Sequence, residues 1–159
     1  MPEALIIDAV RTPRGIGKIG KGALAHMHPQ HLAATVLKAL AERNNLNTGD
    51  IDDIIWSTSM QKGKQSGDLA RMAALDAGYE ITASGMTLDR FCGGGITSVN
   101  LAAAQIMSGM EDLVIAGGTE MMSYCTALMT EEQAAGFPPT VMGSHNERLT
   151  ERHPQSHQG

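Results

Sequence analysis

The sequence is poor in aromatic residues and in cysteine. Phenylalanine, tyrosine and tryptophan make up 3% of the 159 residues, whereas hydrophobic residues make up 42%. A core must therefore be built from aliphatic side chains and the 11 methionines. The two cysteines, Cys92 and Cys125, are too few for a disulfide-rich scaffold. The longest apolar runs, 4–7 and 113–116, fall far short of the roughly 20 residues that span a bilayer, so no membrane partner is expected.

Excess positive charge is also missing. Lysine and arginine number 12 against 17 aspartate and glutamate residues, which gives a net charge of −5. Without a basic stripe the sequence predicts no nucleic-acid partner. Residues 1–4 lack the basic and apolar pattern of a signal peptide. These observations predict a soluble cytoplasmic protein whose length suits a single domain.

What is present is an alternation of short apolar runs with helical patterns. The sequence predicts strands over 4–10, 54–57, 85–89 and 113–116, and helices over 31–43, 69–77 and 95–108. This order predicts an α/β fold with a mostly parallel sheet and helices on both faces. The third helix carries one apolar face, and the pattern decays after Thr119, with some helix expected over 131–135. The residues of that apolar face are Ile96, Val99, Ala103, Ile106 and Met110.

A glycine-rich loop, Gly15–Gly22, contains both G-x-G-x-x-G and G-x-x-x-x-G-K. Phosphate-binding loops need a helix that starts directly behind the glycines, and here residues 23–29 intervene. The preferred interpretation is a basic surface loop, with a nucleotide-binding module as the alternative. Five of the six histidines lie in two groups that prolines interrupt, so no metal site is predicted. They are His26, His28, His31, His153 and His157.

The segment Asp89–Gly95 places Cys92 at the end of a predicted strand and the start of a helix. A sharp strand-to-helix turn presents a nucleophile well, and a helix N-terminus stabilises negative charge. The three following glycines let a substrate approach the backbone and leave N–H groups to receive an oxyanion. The alternative, a small buried core cysteine, remains open. Cys125 lies in no such setting and is interpreted as structural.

Five segments resemble the N-terminal part of the thiolase (acetyl-CoA acetyltransferase) family. They are Asp8–Pro13, Ala70–Leu75, Arg90–Gly95, Ala116–Ser123 and Met142–Gly143. The resemblance implies a thiolase-like N-terminal half, with an α/β core over 1–119 that lacks its final strand. Residues 120–159 would begin the loop domain and be partly disordered. The family usually has Gly-Ser-Gly or Ala-Ser-Gly after its cysteine, whereas this chain has Gly93-Gly94-Gly95.

The resemblance also implies a function, namely acyl transfer between coenzyme A thioesters in lipid metabolism. By resemblance Cys92 is the acyl-accepting nucleophile, its own N–H helps to form the oxyanion hole, and Met142 lies near the acyl pocket. Acyl-CoA is the expected substrate, no covalently bound cofactor or metal is expected, and the expected assembly is a dimer or tetramer. The family's remaining catalytic groups belong to a later half, so we expect an N-terminal fragment or one piece of a split enzyme. A non-catalytic thiolase-like protein that binds acyl-CoA or a partner is the alternative.

Overall fold

The computed structural model describes residues 3–136. Its described residues form two compact units, residues 3–15 with 26–121, and residues 16–25 with 122–136. The larger unit contains three helices and three strands: α1 (Pro29–Asn44), β1 (Asp53–Ser57), α2 (Leu69–Asp76), β2 (Met86–Leu88), α3 (Gly94–Ser108) and β3 (Val114–Gly118). Short 3₁₀ turns cover Thr48–Asp50, Gly63–Gln65 and Phe91–Gly93. The smaller unit contains α4 (Met122–Ala134).

The three strands form one parallel sheet in the order β2-β1-β3. In the register, Ser57 at the end of β1 lies opposite Leu88 of β2 and Gly118 of β3. The carboxyl ends of all three strands therefore meet at one edge of the sheet. This arrangement confirms the predicted parallel α/β fold, and it brings together the loops that follow the strands.

Alternate residues of β1 face opposite layers of helix. Ile54 and Trp56 belong to a core cluster with residues of α1 and α2, among them Leu37 and Leu69. Ser57 points the other way, because its side chain contacts the position at which a Cβ of Gly94 in α3 would lie. The central strand is thus buried on both faces, as expected for a parallel sheet between helices.

Helix ends follow from local sequence signals. The His28 Nδ1 atom accepts the Gln30 N–H (3.2 Å) at the start of α1, and the Asp68 carboxylate accepts the Arg71 N–H (3.4 Å) in α2. Glycines with positive φ follow α2 and α3, at Gly78 (81°) and Gly109 (74°). Such residues stop a helix because they adopt the left-handed conformation without a Cβ clash. The three predicted helices of the larger unit are confirmed to within two residues at each end.

The predicted strand over 4–10 is wrong. The described residues from 3 to 17 contain no strand, and Leu5, Ile6 and Ile7 are 75%, 84% and 75% exposed. An apolar run becomes a strand only when a neighbouring strand pairs with its backbone groups, and in the described part of the chain the sheet ends with β2 and β3. The segment is tied instead at Asp8, whose carboxylate accepts hydrogen bonds from Arg43 (3.0 Å) and Asn44 (2.9 Å).

Two further expectations differ from the structure. The apolar face predicted for α3 is exposed at its start, where Ile96 is 72% and Val99 46% exposed, whereas Ala103 and Ile106 are half-buried. Met110 lies beyond the end of the helix. The buried residues of this helix are the small ones, Gly94, Ser98 and Ala102, because they let its backbone approach the strands closely. The helix expected over 131–135 begins at Met122 instead. The division expected at residue 119 stays a prediction.

Candidate active site

Cys92 lies in the 3₁₀ turn Phe91–Gly93, which joins the carboxyl end of β2 to the first turn of α3. Its side chain is exposed, so the alternative of a buried core cysteine is wrong. Cys125 in α4 is buried, with 2% exposure. The thiol of Cys92 is therefore presented at the edge of the sheet where ligands of open α/β folds collect.

The backbone of this turn is unusual. Phe91 has φ +46°, a left-handed conformation that bulky side chains rarely adopt. The Asp89 Oδ1 atom accepts the Phe91 N–H (2.8 Å), the Gly93 N–H donates to the Arg90 carbonyl (3.0 Å), and the Gly94 N–H donates to the Phe91 carbonyl. Within residues 3–136 the Cys92 N–H has no backbone acceptor. In this part of the chain the turn thus places a thiol and a backbone N–H without a backbone acceptor on the same exposed residue, and donors of this kind can stabilise an oxyanion.

The three glycines after Cys92 meet different surroundings. A Cβ built on Gly94 would lie 1.7 Å from Ser57 Oγ and 2.8 Å from Ser57 Cβ, so no side chain fits there. A Cβ on Gly95 would have no atom within 4 Å, and one on Gly93 would meet only Arg90 Cγ at 3.8 Å. Gly94 stands at the position where the thiolase family, which this segment resembles, usually has serine. In this chain the Ser57 side chain already fills the space beneath that position.

A hydrogen-bond network, which we call the Glu120 network, joins the carboxyl ends of β1 and β3 beside this turn. The Ser59 N–H (2.6 Å) and hydroxyl both donate to Glu120 Oε2. The Gln65 amide donates to Glu120 Oε1 (2.9 Å) and Thr58 Oγ1 (3.0 Å), and its oxygen accepts the Met121 N–H (2.8 Å). The sequence marks Glu120 only as part of the segment Ala116–Ser123, and no local pattern marks Ser59 and Gln65 as its partners.

The other sequence candidates do not assemble a site among the described residues. No strand precedes the Gly15–Gly22 loop, and α1 begins only at Pro29, so the context of a phosphate-binding loop is missing. His28 caps α1, and His31 Nδ1 lies 3.8 Å from Asp76 Oδ2. Residues 3–136 hold no group of three or more His, Cys, Asp or Glu residues placed to bind a metal ion. Met142, His153 and His157 lie outside the described residues.

No helix in the described part of the chain combines the length and apolar character needed to cross a membrane.

Comparison with known proteins decides the family. Residues 4–156 match the model of the thiolase N-terminal domain. The chain belongs to the thiolase family. A steroid 3-ketoacyl-CoA thiolase, FadA6, of Mycobacterium tuberculosis is 40% identical over 139 residues, which are 86% of this chain and 33% of that protein. A 3-oxoadipyl-CoA/3-oxo-5,6-dehydrosuberyl-CoA thiolase of Escherichia coli is 42% identical over 136 residues, 85% of this chain and 33% of that protein.

A solved thiolase-family structure supports the same assignment. The acetyl-CoA acetyltransferase of Bacillus anthracis is 36% identical and superposes with a TM-score of 0.67, covering 74% of this chain and 29% of that one. This thiolase chain spans about a third of the length of the curated relatives it matches. Its family and fold are therefore shown, and the names of the relatives describe proteins about three times as long.

Proposed function

We propose that the chain carries the nucleophile of an acyltransferase that moves an acyl group between coenzyme A thioesters, with Cys92 as the acyl acceptor. The observation that carries this proposal is the turn Phe91–Gly93, which exposes the Cys92 thiol beside an N–H without a backbone acceptor. Thiolase relatives support acyl transfer among coenzyme A thioesters at the level of the family.

The proposed chemistry proceeds in two transfers. The Cys92 sulfur gives its proton to a base and attacks the thioester carbonyl carbon, while negative charge develops on the carbonyl oxygen. The Cys92 N–H donates to that oxygen, and the carbon–sulfur bond to coenzyme A then breaks, so that coenzyme A leaves as a thiolate. A second nucleophile later takes the acyl group from Cys92. Covalent catalysis of this kind divides one difficult transfer into two easier ones.

The remaining catalytic groups form part of the proposal. We place the base and the group that moves the α-proton in a part of the enzyme beyond this sequence, since the relatives are about three times as long. Met142 would line the acyl pocket. The enzyme would use acyl-CoA and coenzyme A as substrates, without a covalently bound cofactor. The proposed location is the cytoplasm.

Assembly into a homo-oligomer is also proposed. The candidate contacts are residues 85–89 and the polar segment after Trp56. β2 is an outer strand of the described sheet, and its Met86 is 42% exposed. An outer strand presents unpaired backbone groups that a second chain can use. Light scattering of the chain alone should show self-association, and a stable monomer would contradict this part of the proposal.

The central test is acylation of the chain by acetyl-CoA, followed by mass spectrometry of its cysteine peptides. We expect slow single acylation at Cys92, no acylation at buried Cys125, and no multiple turnover, because general acid–base groups contribute about 10²–10⁴-fold each. Cys92→Ala should abolish labelling. Binding of acyl-CoA without any acyl-Cys92 would favour the non-catalytic alternative. Robust turnover by the chain alone would contradict the proposal that further groups are needed.

A further inference from the structure

Phe91, which precedes the proposed nucleophile, has a positive φ that its own side chain does not explain. Among the described residues three non-glycine residues have positive φ, namely Asn45 (46°), Asp68 (56°) and Phe91 (46°). Asn45 ends α1, and Asp68 caps α2 with its own carboxylate. Asparagine and aspartate adopt this conformation comparatively readily, whereas a bulky side chain makes it a strained outlier. Phe91 must therefore be held in place by its surroundings.

Asp89 supplies the side-chain hydrogen bond that holds it. The Asp89 Oδ1 atom accepts the Phe91 N–H at 2.8 Å, two residues further along the chain. Asp89 directly follows β2, whose last residue, Leu88, is fixed in the sheet opposite Ser57, and the Leu88 carbonyl accepts the Thr58 N–H (3.1 Å). Asp89 is thus joined to the sheet through its backbone and to the strained residue through its carboxylate.

The conformation of Phe91 determines where the backbone of Cys92 points. The peptide group between Phe91 and Cys92 carries both the Phe91 carbonyl, which accepts the Gly94 N–H, and the Cys92 N–H. If Phe91 relaxed to negative φ, this peptide would rotate and the Cys92 N–H would leave its present direction. We infer that Asp89 is a positioning residue, whose bond to the Phe91 N–H keeps the Cys92 N–H directed toward the oxyanion of the acylation step. This inference rests on the proposed role of Cys92.

Two reagents separate positioning from simple access to the thiol. With 4-nitrophenyl acetate, the Cys92 thiol gives its proton to solvent and its sulfur bonds to the acetyl carbon, which forms an oxyanionic intermediate. The bond from that carbon to the phenol oxygen then breaks and 4-nitrophenolate leaves. With iodoacetamide, the sulfur displaces iodide at a saturated carbon and no oxyanion forms. A backbone N–H that stabilises the oxyanion therefore accelerates the first reaction and not the second.

The experiment compares both rates at Cys92 in the whole chain, for Asp89→Ala, Asp89→Asn and the control Asp112→Ala. Asp112 carries the same charge and precedes β3, at the opposite end of the sheet. Asp89→Ala should slow acylation about 10- to 100-fold and leave alkylation nearly unchanged. This is less than the roughly 10²–10³-fold cost of losing an oxyanion donor completely, because the Cys92 N–H is displaced and not removed. Asp89→Asn keeps an acceptor oxygen and should acylate at close to the original rate, as should Asp112→Ala.

The outcomes distinguish this inference from the proposed function. Equal ratios of acylation to alkylation in Asp89→Ala and in the unaltered chain would overturn the inference alone, as would an Asp89→Asn variant as slow as Asp89→Ala. Failure of the unaltered chain to acylate at Cys92 would overturn the proposed function and the inference with it. If Asp89→Ala does not fold, the variant is combined with Phe91→Gly, because glycine takes positive φ without help. This double variant should be acylated at close to the original rate. A double variant that folds but is acylated as slowly as expected for Asp89→Ala would refute the inference.

Discussion

Substitution of Gly94 by alanine should be the most damaging small change at the candidate active site. The new Cβ would lie 1.7 Å from Ser57 Oγ, half of the 3.4 Å at which ordinary contact begins, and 2.8 Å from Ser57 Cβ. Rotation of the Ser57 hydroxyl relieves only the first of these contacts. Either α3 moves away from β1 or the strand shifts, and both are held in the buried layer of the larger unit.

The size of the effect follows from the cost of overpacking. Extra methyl groups in a well-packed interior cost about 1–3 kcal/mol, and a contact this short belongs at the upper end, about 3 kcal/mol. Ser57→Gly removes both contacting atoms, so the double variant Ser57→Gly with Gly94→Ala should recover most of that loss. A glycine within a strand costs about 0.5–1 kcal/mol of its own. The control is Gly95→Ala, which meets no atom within 4 Å and should stabilise α3 by about 0.5–1 kcal/mol.

Urea unfolding of the original chain, Gly94→Ala, Ser57→Gly, the double variant and the Gly95→Ala control measures these differences as changes in midpoint at constant slope. The double-mutant cycle should give a coupling energy of about 1–3 kcal/mol between positions 57 and 94. A Gly94→Ala chain as stable as the original, or additive effects of the two substitutions, would refute the packing argument.

Three further predictions concern charge and reactivity. Hydrogen bonds from the backbone, first from the Leu113 N–H, lower the pKa of Asp52 below its ordinary value of 3.8, so its contribution to stability is present above that pH and is lost as the pH falls through the folded-state pKa. Asp52→Asn should therefore flatten the acid limb of the unfolding free energy against pH, and an unchanged limb would contradict this. Brief iodoacetamide treatment of the folded chain should label exposed Cys92 well before buried Cys125, whereas equal labelling would argue against a special setting. Lys21→Ala should leave acyl-CoA chemistry of the complete enzyme largely intact, and a loss above about 3 kcal/mol computed from kcat/KM would show that the glycine loop takes part.

The sequence predicts an element well when its evidence is local. The runs at 54–57, 85–89 and 113–116 became strands, and Gly78 and Gly109 mark real helix ends. The run at 4–10 did not, because strand formation depends on a pairing neighbour that no local pattern reveals. The face of α3 was equally beyond a periodicity argument, since apolar spacing shows which residues share a face and not which face meets the sheet.

The same distinction applies to the candidate site. Cys92 was found because the end of a strand pattern and the start of a helix pattern coincide there, and the structure places it in that turn. Ser57, which excludes any side chain at position 94, gave no signal, since it precedes that residue by 37 positions and meets it only after the sheet has formed. The sequence marks Asp89 only as part of a motif. Its proposed role depends on the positive φ of Phe91, which only the three-dimensional structure shows.

The Glu120 network restricts the chemistry allowed at position 65. The Gln65 side chain is fully buried and uses its two ends for opposite purposes, with the nitrogen facing acceptors and the oxygen facing the Met121 N–H. Glutamate at this position would set a second carboxylate against Glu120, and leucine would leave the Met121 N–H without its acceptor in the interior. Position 65 therefore requires a side chain of this length that donates to Glu120 and also accepts from the Met121 N–H. Glutamine meets this demand without a charge, because its amide carries N–H donors and a carbonyl acceptor at the end of the same side chain.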